Sequence, residues 1–300
     1  MTGPQWQLKK LMCEVGHRIW LRGYCAGNEG NHSARIGDDR VLCTPTGLSK
    51  GFLHAEDMCV VDMDGNQVEP NTRGQARTSE VLLHLAIYKK RPDVQAVIHS
   101  HPPHATAFAV ANVPIPEGIH PEAEVFLGKV PFAPYATPST HELPDSVVKL
   151  VGEQTNTVIM GNHGTVSFSP QGLMDAYYKL EILDAYCRIL LLTSQLGRVN
   201  TLSQNQVSDL LNIKSKFGMG DDRLACVADG CVGQDNEPFL STLDVRPASA
   251  SCSCNGGHVQ ATTGTPMPAD GAPNGVGAEQ LETLVQTITD EIMANSEGTT

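Results

Sequence analysis

Apolar residues recur at helical spacing near the start of the chain. Leu8, Leu11, Met12, Val15 and Ile19 share one face between Trp6 and Trp20. A turn-rich stretch, Gly23 to Ser33, follows, and then short β-rich runs at Ala34–Ile36, Val41–Thr44 and Met58–Asp62. Asp64-Gly65, set between Val60-Val61 and Val68, signals a hairpin. Ser79 to Arg91 predicts a helix, with Ser79 as its N-cap, Lys89-Lys90-Arg91 at the negative end of the dipole and Pro92 as the stop. Val94–Ser100 and Thr157–Met160 predict strands. Ser169-Pro170 opens a long helix that runs to Gly197, and Ser203–Phe217 predicts a shorter amphipathic one. The body therefore alternates α and β.

The pattern changes after Asp221. Asp221 to Gly277 is rich in Gly, Ser, Thr, Pro and Ala and shows little periodicity, which is the composition of a flexible linker. Leu281, Leu284, Val285, Ile288 and Ile292 then form one apolar stripe. The expected organisation is a body over 1–219, a linker over 220–277 and an amphipathic helix over 278–296.

Charge follows the same division. From Asp221 to Thr300 there are 2 basic and 12 acidic residues, or −10 of the chain's net −12. The nearly neutral body admits an anionic substrate, and the acidic tail argues against nucleic acid. No run of 18 apolar residues is present, and Met1 to Lys10 lacks a signal-peptide core, so the expected setting is cytoplasmic, with no membrane partner. Cys13, Cys25, Cys43, Cys59 and Cys187 sit singly among apolar neighbours and read as buried, reduced thiols. Cys226, Cys231, Cys252 and Cys254 lack the usual zinc spacing.

The chemistry gathers at His99-Ser100-His101, at the end of a strand. Alternation points both imidazoles the same way, about 6 to 7 Å apart along the strand, and Pro102-Pro103 sets them at a rim. Two polar residues in a loop would show the same pattern. His163, between strand and turn in Gly161-Asn162-His163-Gly164, supplies a third imidazole. Three imidazoles with an open position suit a catalytic zinc rather than a structural one. Glu80 starts a helix, where an acid favours the dipole or serves as general base beside a metal. As a base its pKa needs raising, which burial supplies. Thr78-Ser79 and Thr44-Pro45-Thr46-Gly47 offer hydroxyls and backbone N–H groups suited to a phosphate.

These elements, with Gly30-Asn31-His32-Ser33, Asp62-x-Asp64-Gly65, Arg91-Pro92-Asp93, Pro134-Tyr135-Ala136-Thr137 and Asn162-His163-Gly164, occur in an order that resembles the class II aldolase/adducin family, most of all its fuculose-phosphate aldolase branch. The resemblance covers about residues 8 to 219. It implies a three-layer αβα fold with a mainly antiparallel central sheet and a flexible C-terminal tail, and a cyclic homotetramer with sites between subunits. It implies phosphate contacts from Asn31, Thr46, Gly47, Thr78 and Ser79, zinc on His99, His101 and His163, and Glu80 near enough to ligate the metal before it moves a proton. The implied reaction is cleavage of a fuculose- or rhamnulose-type ketose 1-phosphate to dihydroxyacetone phosphate and lactaldehyde. Same-fold alternatives are a sugar-acid phosphate decarboxylase, an epimerase and a methylthioribulose-phosphate enzyme; a non-catalytic adducin-like scaffold is the alternative of another class.

Two departures stand out. The family's tyrosine at the aldehyde end is missing from Ile119–Glu124, where His120, Glu122 and Glu124 are the available acids or else surface residues. A second is replaced by Lys216-Phe217-Gly218. The 278–296 helix resembles an encapsulation peptide, which implies a microcompartment shell protein as partner.

Overall fold

The computed structural model describes residues 3–243. Within them, β1 (Asn31–Arg35), β2 (Arg40–Cys43), β3 (Cys59–Asp62), β4 (Ala96–Ser100), β5 (Phe132–Ala133), β6 (Thr157–Met160) and β7 (Gly164–Ser169) form one sheet in the order β3-β2-β1-β4-β7-β6-β5. All neighbours are antiparallel except β5 and β6. Alternation splits the apolar residues between two faces. Val41, Cys43, Cys59, Val61 and Val97 pack with α2 (Val81–Lys90) and α4 (Glu142–Val148). Leu42, Val60, Ala96 and Ile98 pack with α1 (Pro4–Leu21) and α5 (Leu173–Gln195). Against α5 also lies α3 (Pro103–Ala111), through Ala105, Phe108 and Ala109. This is the expected three-layer αβα arrangement with a mainly antiparallel sheet.

Several boundaries differ from the sequence reading. β1 starts at Asn31, inside the stretch read as turns, because Asn31 pairs with His99 and Ser33 with Val97. Ser79 is exposed and caps nothing; α2 begins at Val81 with Glu80 in the cap position, and the Thr78 hydroxyl accepts the Glu80 N–H at 3.4 Å. Gly164–Ser169 is a strand, fully buried, so α5 begins at Leu173 instead of Pro170. The Ser169 hydroxyl is engaged by Asp175 and by the Gln171 N–H, which fixes the turn between the two elements.

The linker expected from 220 does not begin there. After α6 (Gln204–Lys216), residues 221–243 form short helical turns that pack on the body. Phe239 is buried against Phe108, at 6.1 Å between ring centroids. Val227 and Val232 pack on Val207 and Leu211 of α6. The Asn236 side chain accepts the Glu117 N–H at 2.8 Å and donates to the Glu117 carbonyl at 2.7 Å. Apolar side chains at 227, 232 and 239 and the cation at Arg223 account for this: each has a buried counterpart that low average periodicity concealed. Cys226 and Cys231 form a disulfide; the other five described cysteines are free, four buried and Cys13 half-buried. The helix expected at 278–296, with Cys252 and Cys254, lies outside the described residues.

Candidate active site

α2 lies along β1 with two periods matched. Four helical residues advance about 6.0 Å and two strand residues about 6.6 Å. Glu80, His84 and Tyr88 of the Glu80–Tyr88 face therefore meet Asn31, Ser33 and Arg35 in turn. The Tyr88 hydroxyl lies 2.9 Å from the Ser33 hydroxyl, which lies 2.7 Å from His84 Nδ1. His84 Nε2 is 2.6 Å from Asn31 Oδ1, and Asn31 Nδ2 donates to Glu80 Oε2 at 2.9 Å. Burial holds His84 neutral, with its pKa pushed down to about 3. A neutral ring has one donor and one acceptor, so the bonds run one way: Tyr88 to Ser33 to His84 to Asn31 to Glu80. The chain of donors ends on the carboxylate.

The three histidines meet at this end. His99 faces Asn31 across the sheet and is buried. His101 follows β4 directly, its N–H donating to the Tyr24 carbonyl at 2.9 Å. His163 occupies the β6–β7 turn, where Asn162 takes the left-handed conformation (φ 51°) and His163 N–H closes on the Met160 carbonyl at 3.0 Å. The left-handed residue is thus Asn162, not either flanking glycine. Gly164 serves close approach instead: a Cβ there would meet His101 Cδ2 at 2.5 Å and the Ser100 carbonyl at 2.8 Å.

One ligand atom from each histidine falls within 4.8 Å of the others. His99 Nε2 and His101 Nε2 are 3.2 Å apart. Two nitrogens on a tetrahedral zinc stand about 3.3 Å apart, so the spacing fits a shared cation. The outward nitrogens agree. His99 Nδ1–H donates to the Thr165 carbonyl at 2.9 Å, and His101 Nδ1–H donates to Glu29 Oε2 at 2.8 Å, leaving both Nε2 lone pairs turned inward. Glu80 Oε2 is 3.3 Å from His99 Nε2, and Glu80 Oε1 is 3.6 Å from His163 Nε2. That buried Oε1 has no hydrogen-bond partner among the described residues. A divalent cation among the three imidazoles would satisfy it.

Charge in the site is set by competing effects. Burial pushes the Glu80 carboxyl up, but His99, Asn31 and His163 outweigh it and hold it below the usual carboxylate range. The expected upward shift is thus reversed by the imidazoles packed beside the acid. Burial opposes charge on His99, and Glu80 overcomes this to raise its pKa. Burial and the neighbouring His99 push His101 down and His163 down to about 4. Glu80 and His99 thus each favour charge on the other.

The phosphate candidates lie beside this cluster. Thr46 N–H donates to the Ala76 carbonyl at 3.0 Å and Thr78 N–H to the Thr44 carbonyl at 3.1 Å, which joins the two loops side by side. The Thr44 hydroxyl accepts the His32 N–H at 3.2 Å, which ties β1 and Asn31 to them. Thr46, Gly47 and Ser79 are exposed, whereas Thr78 and Asn31 are buried. Among the described residues the Gly47 and Ser79 amides make no hydrogen bond.

The candidate acids of the Ile119–Glu124 segment divide. Glu124 is buried and fully engaged, accepting from Arg223 at 2.8 Å and from the Gly118 N–H at 2.6 Å. It is not free to serve an aldehyde. His120 stacks on Tyr186, with Glu122 3.2 Å from its Nδ1. The sequence reading missed Glu29, His84 and Asp184. Asp184 accepts the His104 and Ala105 N–H groups at 2.9 and 3.0 Å and so caps α3 just after the His101 strand end.

Residues 10–191 match the Class II Aldolase and Adducin N-terminal domain family. The chain is 34% identical to the L-fuculose phosphate aldolase of Methanocaldococcus jannaschii over 184 residues, covering 61% of this chain and 96% of that one. It is 33% identical to the 3-oxo-tetronate 4-phosphate decarboxylase of Haemophilus influenzae over 210 residues, covering 68% and 96%. Among solved structures, an L-fuculose 1-phosphate aldolase superposes with a TM-score of 0.63 at 27% identity, covering 73% of this chain and 98% of that one. With this family match and its trio of histidines, the chain belongs to the class II aldolase and adducin family, among its metal-dependent lyases. No helix among the described residues is long and apolar enough to cross a membrane.

Proposed function

We propose that the chain cleaves a deoxyketose 1-phosphate of the fuculose or rhamnulose type to dihydroxyacetone phosphate and lactaldehyde, using zinc held by His99, His101 and His163. The observation that carries this reading is Glu80 Oε1, buried without a hydrogen-bond partner among the described residues and 3.6 Å from His163 in a cluster of three imidazoles. Bound zinc would polarise the substrate's ketone oxygen and stabilise negative charge there. Asn31, Thr46, Gly47, Thr78 and Ser79 seat the phosphate, with the free Gly47 and Ser79 amides as donors. The C3–C4 bond breaks and its electron pair stays on C3 as an enediolate. The C4 hydroxyl proton passes to water as the aldehyde forms. Glu80, ionised at rest and placed where it would also help hold the metal, takes up a proton from water and hands it to C3, so that one proton leaves and one arrives.

A second reading is decarboxylation of a 3-oxo sugar-acid phosphate. Loss of carbon dioxide from the carbon beside the ketone leaves the same enediolate. That leaving group carries no hydroxyl proton to remove. The engagement of Glu124 by Arg223 favours this reading, because it removes Glu124 from the groups that could serve an aldehyde.

One assay separates the two. Zinc-loaded protein is given fuculose, rhamnulose and ribulose 1-phosphates and 3-oxo-tetronate 4-phosphate, with Glu80→Gln as control. Dihydroxyacetone phosphate with lactaldehyde supports the first reading, and dihydroxyacetone phosphate with carbon dioxide moves the assignment to the second. No dihydroxyacetone phosphate from any of them removes both. The homotetramer with sites between subunits is part of the same proposal, tested by light scattering: a monomer that turns over would remove it. Shell targeting through 278–296 is tested by fusing that segment to a fluorescent protein, where diffuse signal beside shells counts against it.

A further inference from the structure

The three imidazoles differ in what holds their outer nitrogen. His99 has a neutral carbonyl, His163 Nδ1 is buried without a partner among the described residues, and His101 has the Glu29 carboxylate at 2.8 Å. Both Glu29 oxygens are in use: Oε1 accepts the Ala26 N–H at 2.6 Å while Oε2 takes His101. The loop bearing Glu29 is itself fixed. Lys50, 2% exposed, donates to the Asn28 carbonyl at 2.8 Å and the Leu48 carbonyl at 2.6 Å. Gly30 continues the loop at φ +71°, close under His99, where a Cβ would lie 3.2 Å from the His99 carbonyl.

We propose that Glu29 is a positioning residue for the metal, its carboxylate holding His101 in the tautomer and ring orientation that aim Nε2 at the cation. The proposal rests on the zinc-site reading above. An accepting carboxylate fixes Nδ1–H, which leaves the lone pair on Nε2 and makes that nitrogen more basic. His163 has no such support, so the affinity of the site leans on the Glu29–His101 pair.

The test is zinc affinity of the full chain, measured by competition with a chromophoric chelator, together with the visible spectrum of the cobalt-substituted protein. Glu29→Ala is expected to weaken zinc binding by about 10- to 100-fold and to change the cobalt bands. Glu29→Gln keeps an acceptor oxygen for Nδ1–H and is expected to recover part of that affinity. Melting of the metal-free protein is the control, because loss of a carboxylate that only pinned Ala26 would lower it and leave zinc affinity unmoved. Glu29→Ala binding zinc within about twofold of wild type, or Glu29→Gln losing as much as Glu29→Ala, would overturn the inference. Wild-type protein that takes up no zinc would instead remove the site reading on which it rests.

Discussion

Two largely buried polar clusters in this molecule are each built around carboxylates and differ in their unused atoms. One joins Asn31, Glu80, His84, His99, His101 and His163; the other joins Glu117, Glu124, Lys214, Asp221 and Arg223. In the second, Arg223 bonds to Glu117 at 2.7 Å, to Glu124 at 2.8 Å and to Asp221 through Nε and a terminal nitrogen at 2.9 and 2.8 Å, while Lys214 bonds to Asp221 at 2.7 Å. Among the described residues, none of those five side chains has an orphaned buried atom. The first leaves Glu80 Oε1 unpaired and turns two Nε2 lone pairs inward. A saturated cluster can only hold elements together, here 221–243 against 117–124. An unsaturated one in a fold that tolerates it is a place for a ligand.

The largest effect should come from emptying the unsaturated cluster. His99→Ala or His101→Ala is expected to abolish stoichiometric zinc binding and to lower turnover by about 10³-fold or more, since several kcal/mol of charge stabilisation goes with the metal. Elemental analysis with a product assay checks both. Full activity in a metal-free variant would equate the two clusters. Glu80→Gln is milder for the metal, which keeps three imidazoles, yet kcat should fall by about 10²- to 10⁴-fold for a lost proton-transfer group. Measurement at fixed zinc occupancy isolates that loss.

How far these clusters were legible in the sequence depended on chain separation. His99 and His101 lie two residues apart at the end of β4, and Glu80 closes Thr78-Ser79-Glu80, so spacing and residue type suffice. Asn31 comes only from the family resemblance, and the strand that carries it reads as turns because its partners on β4 lie about 60 to 70 residues on. His84 gives no signal in the sequence, because its partners Ser33 and Asn31 are supplied by β1. Glu29 sits in a loop whose direction Lys50 sets from 21 residues away. Arg223 lies about a hundred residues from Glu117 and Glu124, and its Gly- and Ser-rich surroundings hide the pairing. The long helix was mis-started for a related reason: Ser169 continues a strand paired with β4, and local Pro preference could not report that pairing.

Breaking the saturated cluster should cost stability and spare chemistry. Arg223→Ala leaves Glu117, Glu124 and Asp221 buried without their common cation, a loss of about 3–5 kcal/mol. Denaturant unfolding should show it, with zinc content per folded molecule unchanged. Loss of zinc as well would mean that the two clusters are coupled. Ser33→Ala tests the reverse. It cuts the donor chain between Tyr88 and His84 and should cost about 1–3 kcal/mol of stability, because both buried partners lose a bond. It should also lower kcat by about tenfold as Asn31 loses its fixed orientation toward Glu80.

The smallest effect is one of pH, and its sign follows from Asp221. Burial works against this carboxylate, but Arg223 and Lys214 outweigh burial and bring its pKa down to about 2 from an ordinary 3.8. Its folded value is below its unfolded one, so it contributes stability that is complete above about pH 5 and is lost as pH falls toward 2. A shift of nearly two units is worth about 2 kcal/mol. Glu124 in the same cluster runs the other way, its pKa raised by burial despite Arg223. Acid titration of the whole protein therefore blends opposed terms, and only a difference isolates one. The stability gap between wild type and Asp221→Asn, followed by denaturant unfolding, should narrow by about 2 kcal/mol between pH 5 and pH 2. A constant gap would mean that Asp221 acts through packing alone, and the clamp would then rest on Glu117 and Glu124.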